Sequence, residues 1–148
     1  MPFIMSKVNV PVSAAQETQL KARLGKAMEL LPGLSENYLL AGIEADCRFY
    51  LRGENQPVAY VEASIFGNEH HIGYENFSAA VTKIFVDVLN IPPLNVYIKF
   101  SDIAAWSVGG NFFYARLKFN GRQNFSRDIH RPDDGFVLRM RTSKLWRR

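Results

Sequence analysis

The sequence is short of cysteine and of long apolar runs. Among its 148 residues the only cysteine is Cys47, so no disulfide can form within the chain, which fits a reducing compartment. No apolar run approaches the length that spans a bilayer. The N-terminus also lacks the basic start and the apolar segment of a signal peptide. We therefore expect a cytoplasmic protein, or one that is secreted without a signal peptide.

Charge of either sign is moderate in amount but uneven along the chain. The formal net charge is +4, yet residues 1–114 carry a balance of −3 and residues 115–148 carry a balance of +7. Apolar residues make up 47% and charged residues 22%, which is normal for one globular domain of this length. The sequence therefore predicts a mildly acidic domain over residues 2–114, followed by a basic C-terminal extension of unknown role over residues 115–148.

The first half of the predicted domain reads as a strand, a helix and a strand. Residues 3–10 have extended character, and Ser13 then begins a helix, with Gln16 three residues later in a capping-box pattern. Leucine, alanine and methionine side chains at helical spacing mark one buried face of this helix, which Pro32-Gly33 ends. A second strand is predicted near residues 39–44.

The second half repeats this order. A strand with alternating pattern covers residues 58–65, a loop covers 66–73, an amphipathic helix ends before Pro92-Pro93, and a strand covers 96–100. We therefore predict an α+β sandwich in which two tandem β-α-β units form a four-stranded sheet with two helices on one face. Apolar residues occur at both odd and even positions of the strands, so the face without helices would be apolar and uncovered. Such a face predicts an oligomer.

The most specific stretch of the chain is VYIKFSDIAAWSVGGNFF at residues 96–113. MPFI at the start, NVP at residues 9–11 and the Ser64-Ile65 pair accompany it. Together they resemble the macrophage migration inhibitory factor and D-dopachrome tautomerase branch of the tautomerase superfamily, over roughly residues 2–114. The resemblance implies a homotrimer whose three sheets form a central barrel, an active site between subunits, and no cofactor.

Pro2 directly follows the initiator methionine. One interpretation is a proline that starts an edge strand, where its missing N–H does no harm. The other is that Met1 is removed, as we predict, so that Pro2 becomes the amino terminus with a secondary amine. The resemblance implies that this amine is the general base of a keto–enol tautomerase, acting on an α-keto acid such as phenylpyruvate. Apolar neighbours, for which Phe3, Ile65, Val108 and Phe112-Phe113 are candidates, would lower its pKa towards the working pH.

The resemblance also implies residues that bind the substrate. Tyr97 matches a tyrosine that a neighbouring subunit contributes, although a core tyrosine of the barrel would fit the same pattern. Ser64 and Ile65 match a strand end whose backbone N–H faces the substrate, or they simply end a strand. Tyr38 matches an aromatic residue at the pocket mouth, or it is a surface residue, and Val108 is a candidate for the pocket wall.

Two positions depart from the family pattern. Leu34 stands where the family has the lysine that binds the substrate carboxylate, and Lys99 stands where it has an asparagine. Because strand alternation puts Lys99 on the same face as Tyr97, we hypothesise that Lys99 supplies the missing cation from the adjacent subunit. The alternative is a solvated charge near the rim of the barrel.

Other signals are weak. His70-His71 is a poor metal site because no cysteine or carboxylate set accompanies it at ligand spacing, so we predict no metal. In the basic extension, Trp146 lies among arginines, which suits nucleic acid or an anionic surface. A flexible or peripheral extension is the preferred interpretation, with strands predicted over residues 113–119 and 135–142. The resemblance implies a further alternative, in which the extension covers the pocket.

A second functional hypothesis belongs to a different class. The chain would be a signalling protein that binds host receptors and keeps the catalytic pocket as a relic. Turnover that is lost on substitution of Pro2 would favour the enzyme. Receptor binding that survives the same substitution would favour the signalling role.

Overall fold

The structure, a computed structural model, describes residues 1–114, 116–120 and 124–128. Short 3-10 helices cover residues 28–30, 36–38 and 93–95. The longer elements, in chain order, are β1 (Pro2–Val8), α1 (Ala14–Ala27), β2 (Leu40–Glu44), β3 (Ala59–Phe66), α2 (Tyr74–Leu89), β4 (Val96–Ile103), β5 (Ala105–Val108), β6 (Asn111–Tyr114), β7 (Arg116–Asn120) and β8 (Asn124–Asp128).

The first four strands form one mixed sheet in the order β2-β1-β3-β4. β1 pairs with β2 in parallel, β3 pairs with β4 in parallel, and β1 and β3 run antiparallel in the centre. Each parallel pair is joined through one helix, so the predicted pair of β-α-β units is confirmed. Between β2 and β3, Leu51 forms an isolated antiparallel bridge with Glu54.

Both helices have end signals that are visible in the sequence. At the start of α1 the backbone N–H of Gln16 donates to Ser13 Oγ at 3.1 Å, and the backbone N–H of Ser13 donates to Gln16 Oε1 at 2.9 Å. This reciprocal capping box satisfies two N–H groups that have no partner within the helix. α2 ends at Asn90, whose φ of 54° is the left-handed conformation of a C-cap, just before the proline pair.

The core lies between the helices and one face of the sheet. Alternate residues of β1 and β3 point into it, and both strands show the same buried and half-buried alternation. Each large apolar side chain that is fully buried there contributes about 1.5–3 kcal/mol. The largest of these side chains are Phe77, Phe85, Ile4, Leu20, Leu24, Met28, Leu31, Ile65 and Ile91.

The opposite face of the sheet carries no helix from the described part of the chain, and its residues are mixed in character. Phe3, Met5 and Lys7 of β1 belong to it by alternation, and Glu62 of β3 lies in register with Lys99 of β4. Charged side chains therefore interrupt the apolar ones. The face that the sequence predicted to be apolar is therefore mixed, because Lys7, Glu62 and Lys99 lie on it among Phe3, Met5 and Tyr97.

Two hairpins follow the main sheet. β5 pairs with β6, and β7 pairs with β8, both antiparallel. The strand expected over residues 113–119 overlaps β6 and β7, whereas its expected partner at residues 135–142 lies outside the described residues. In the described parts of the chain no helix has the length and apolar character needed to cross a membrane.

Candidate active site

Pro2 begins β1 and is buried on the helix-covered face of the sheet. It lies opposite Ile65 of β3 in antiparallel register, and Ile65 in turn lies opposite Asp102 of β4. Ile65 is only 1% exposed, so Pro2 has an apolar neighbour on the adjacent strand. Pro2, Ile65 and Asp102 thus form a row across one end of the strands of the sheet, which we call the Pro2 edge.

The amino terminus of the chain lies at this edge, half-buried. Burial lowers the pKa of the Met1 amino group below its ordinary value, because removal from water disfavours the charged form. While Met1 is attached, the nitrogen of Pro2 is an amide nitrogen and has no basicity. Once Met1 is removed, a Pro2 amine one residue further into the sheet would experience the same kind of desolvation.

Ser64 and Tyr38 lie near the same edge. Ser64 is opposite Phe3 on the helix-free face, and β3 continues through Ile65 to Phe66 before it ends. Tyr38 is 41% exposed and ends a 3-10 helix two residues before Leu40, which pairs with Phe3. The structure therefore brings Pro2, Ile65, Ser64 and Tyr38 to one edge of the sheet.

Tyr97 and Lys99 lie elsewhere in the same protomer. Both are exposed on the helix-free face of β4, with Ile98 between them packed against the core. Tyr97 precedes Asp102 by five residues, which corresponds to about 16 Å along a parallel strand. Within one chain the two side chains are thus remote from Pro2.

The remaining predicted residues are not at the Pro2 edge either. Val108 lies on the separate β5–β6 hairpin and is 45% exposed, and Phe112 of the same hairpin is 64% exposed. Within the described chain these two side chains therefore do not form a buried apolar wall beside Pro2. Leu34 is half-buried and packs against the core, so no cation occupies the position where the family has its lysine.

The Pro2 edge also contains a polar cluster that the sequence patterns did not indicate. Nε2 of His71 lies 2.6 Å from Oδ2 of Asp102, and the hydroxyl of Tyr74 donates to Oδ1 of the same carboxylate at 3.1 Å. The rings of His71 and Tyr74 stack at 5.0 Å, and Tyr74 stacks on Phe100 at 4.3 Å. Burial raises the pKa of Tyr74, and its hydrogen bond to Asp102 and the charge of that carboxylate raise it further. Tyr74 therefore remains a neutral donor.

The two adjacent histidines have different partners. His71 contacts Asp102, whereas His70 is largely exposed, with its Nε2 at 3.6 Å from a carboxylate oxygen of Glu69. Among the residues that the structure describes, no three histidine, cysteine, aspartate or glutamate side chains are arranged to hold a metal ion. The groups with acid–base chemistry described at this edge are the amino terminus and the histidine–carboxylate pair.

A family model and a curated relative agree on the family that this chain resembles. The model of the family "Macrophage migration inhibitory factor (MIF)" matches residues 1–113. Mouse macrophage migration inhibitory factor is 27% identical over 111 residues, which cover 75% of this chain and 96% of the mouse protein.

Solved structures have the same fold. MIF2 of Leishmania major has a TM-score of 0.71 at 18% identity, over 76% of this chain and 97% of the other. The macrophage migration inhibitory factor homologue of Prochlorococcus marinus has a TM-score of 0.67 at 26% identity, over 74% of this chain and 97% of the other.

Proposed function

Because the chain belongs to the macrophage migration inhibitory factor family, we propose that it is a keto–enol tautomerase with Pro2 as its general base. The observation that carries the proposal is the position of Pro2, buried beside Ile65 where the amino terminus has a lowered pKa. The substrate class is an α-keto acid, with phenylpyruvate as the probe. No cofactor takes part, because only a proton is moved.

The reaction follows from the chemistry of a neutral secondary amine. In the keto-to-enol direction the nitrogen of Pro2 takes a proton from the carbon next to the carbonyl group. The C–H electron pair becomes the C=C bond, and the carbonyl oxygen gains a proton from a separate acid, either water or a side chain of the site. In the reverse direction Pro2 returns the proton to carbon. A lowered amine pKa favours both steps, since a base works best when its pKa is near the working pH.

The substrate is oriented by residues of two subunits in this proposal. The backbone N–H at Ile65, with Ser64 beside it, faces the substrate oxygen, and Tyr38 lies at the pocket mouth. Tyr97 comes from the neighbouring subunit of a homotrimer. Its exposure and its distance of about 16 Å from the Pro2 row support this assignment. The exposed Val108 forms the apolar wall after assembly.

Mixed oligomers test the shared site. Pro2→Gly and Tyr97→Phe are each expected to lose most activity as homogeneous preparations. When the two variants are co-expressed with different tags and the mixed species is purified, some sites combine an intact Pro2 with an intact Tyr97. Recovery of activity in the mixed species is the expected result. Equal inactivity of mixed and unmixed preparations would contradict a site between subunits.

Lys99 is proposed to bind the substrate carboxylate from the neighbouring subunit. Its position on the face of Tyr97 supports this role, while its register with Glu62 provides a competing partner. A hydrogen bond between two charged groups contributes about 1.5–3 kcal/mol, so Lys99→Gln is expected to raise KM for phenylpyruvate by at least about tenfold. Lys83→Gln, on α2, is the matched control. Unchanged KM in Lys99→Gln would contradict the role.

The direct test of the activity is an absorbance assay of phenylpyruvate tautomerisation. Wild-type protein is expected to accelerate the reaction, and Pro2→Gly is expected to lower kcat by about 10²-fold or more, the usual contribution of a general base. Circular dichroism and oligomeric state provide the control for folding. Equal rates for the two folded proteins would refute the role of Pro2.

A receptor-binding signalling protein is the second candidate function. The observation that favours it is Leu34, which packs against the core and leaves the site without the family's lysine. Binding of a receptor ectodomain by both wild-type protein and Pro2→Gly, with no turnover by either, would support this candidate. In both cases we propose a protein of the cytoplasm that can also act after secretion.

A further inference from the structure

The Pro2 edge contains a second group with acid–base chemistry, on a different strand from Pro2. Asp102 lies two strands away from Pro2 in direct register, with Ile65 between them. Adjacent strands are about 4.8 Å apart, so the Cα atoms of Pro2 and Asp102 are separated by about 10 Å. Asp102 faces the helix-covered side, as its contacts with His71 and Tyr74 require.

The contacts of Asp102 determine which nitrogen of His71 is available. A carboxylate only accepts hydrogen bonds, so Nε2 of His71 donates to Oδ2 while Tyr74 donates to Oδ1. Nδ1 of the half-exposed ring is then left for another partner. A histidine whose second nitrogen is held by a carboxylate is oriented for proton transfer at the first.

The backbone of His71 is held in place independently of its side chain. Its φ is 56°, a left-handed conformation that is uncommon for a residue other than glycine and that persists when surrounding contacts determine it. Here the backbone N–H of His71 donates to the carbonyl of Asn68 at 3.1 Å, and the side chain of Asn68 both accepts from and donates to the backbone of Ile72. The loop between β3 and α2 thus presents the ring to Asp102.

We propose that His71, oriented by Asp102, is a second acid–base residue of the Pro2 site and exchanges a proton with the substrate oxygen. This inference rests on the proposed tautomerase function. An oxygen and the reacting carbon of a keto acid are about 2.4 Å apart. With one hydrogen bond to His71 and one contact to Pro2, the unit spans about 8 Å. That length is comparable with the separation of about 10 Å between the Cα atoms of Pro2 and Asp102, the residue whose carboxylate His71 contacts.

The proton transfers balance. Pro2 takes a proton from carbon, the C–H electron pair forms the C=C bond, and the carbonyl oxygen takes the proton that protonated His71 carries on Nδ1. His71 is then neutral and Pro2 is protonated. After the product leaves, Pro2 releases a proton to water and His71 regains one from water. Neither an oxidant nor a cofactor is needed.

Other titratable side chains lie close to His71 and have to be distinguished from it. Asp102 on β4 and Tyr74 on α2 contact it, and Glu69 and His70 precede it on its own loop. Tyr74 stays protonated, because burial and the neighbouring carboxylate raise its pKa. Substitutions therefore have to distinguish the contribution of His71 to the kinetics from the contributions of His70 and Asp102.

Kinetics of His71→Asn provide the first test, because asparagine tolerates the left-handed backbone conformation. We expect kcat for phenylpyruvate to fall about 10²-fold with KM changed less than twofold, and one limb of the pH profile of kcat to disappear. Asp102→Asn is expected to lower kcat and shift the same limb, since it acts through His71. His70→Asn, the matched control, is expected to retain both kcat and the profile.

Nuclear magnetic resonance provides a test that does not need turnover or a variant. Phenylpyruvate added to wild-type protein is expected to shift the ring signals of His71 and leave those of His70 in place. Unchanged kcat and pH profile in folded His71→Asn would overturn the proposal. If wild-type protein shows no turnover, the proposed function fails, and an unmoved His71 signal overturns this inference as well.

Discussion

Replacing Asn9 by alanine would remove a side chain that ties the end of β1 to the segment before β3. Oδ1 of Asn9 accepts from the backbone N–H of Val58 at 2.7 Å, and Nδ2 donates to the carbonyl of Gln56 at 2.7 Å and to that of Phe49 at 3.4 Å. Val58 is 7% exposed, so water has little access to its N–H in the variant.

The cost follows from these contacts. Each of the two short hydrogen bonds contributes about 1 kcal/mol, and a buried group left without a partner costs about 1–3 kcal/mol. We therefore expect Asn9→Ala to lower the free energy of unfolding by about 2–4 kcal/mol. For a chain of this size that corresponds to a Tm lower by about 5–15 °C.

Asn68→Ala is the matched control. Asn68 also donates to a backbone carbonyl, that of Ile72 at 2.8 Å, and accepts from its N–H at 3.1 Å, but these bonds are exposed to water. We expect it to cost less than about 1 kcal/mol. Urea unfolding followed by circular dichroism, at equal protomer concentration, measures both. Equal losses of unfolding free energy in Asn9→Ala and Asn68→Ala would contradict the claim that burial makes the Asn9 hydrogen bonds more costly to remove.

Three further substitutions test the packing. Ser6→Ala is expected to raise the free energy of unfolding by about 1 kcal/mol in urea unfolding, because Ser6 Oγ is buried and has no hydrogen-bond partner in the described chain; a loss would show that the hydroxyl is satisfied. Gly73→Ala is expected to lower Tm, because its φ is 83° and a Cβ would lie 2.3 Å from the carbonyl oxygen of Leu30; an unchanged Tm would contradict that close approach. Phe77→Ala is expected to cost about 3–5 kcal/mol in the same unfolding assay, and a cost below about 1 kcal/mol would mean that the helices close the cavity.

The elements of the fold could be predicted because their signals are local. The capping box at Ser13 and the left-handed cap at Asn90 act within a few residues, and apolar periodicity marks the buried faces. The doubled β-α-β plan predicted four strands and two helices, whereas the order β2-β1-β3-β4 depends on the pairing of β1 with β3, which no local signal encodes. The position of Glu62 opposite Lys99 was not predicted, because it depends on the register between two strands.

The site could be predicted only in part, for a physical reason. Pro2, Ser64 and Ile65 are brought together by the pairing of β1 with β3, and the resemblance to the family, not residue periodicity, indicated them as site residues. His71 and Asp102 are 31 positions apart, and their contact depends on the path of a loop that no short pattern encodes. The role proposed for Tyr97 would depend on contacts between subunits, which one chain does not contain.

The measurement that tests the central claim most directly exposes the Pro2 amine during the experiment. A fusion with a protease site ending directly before Pro2 is assayed with phenylpyruvate before and after cleavage, and intact mass verifies the new terminus. We predict negligible activity in the uncleaved protein, in which Pro2 is an amide, and activity that rises in proportion to the cleaved fraction. Equal activity before and after cleavage would contradict Pro2 as the base.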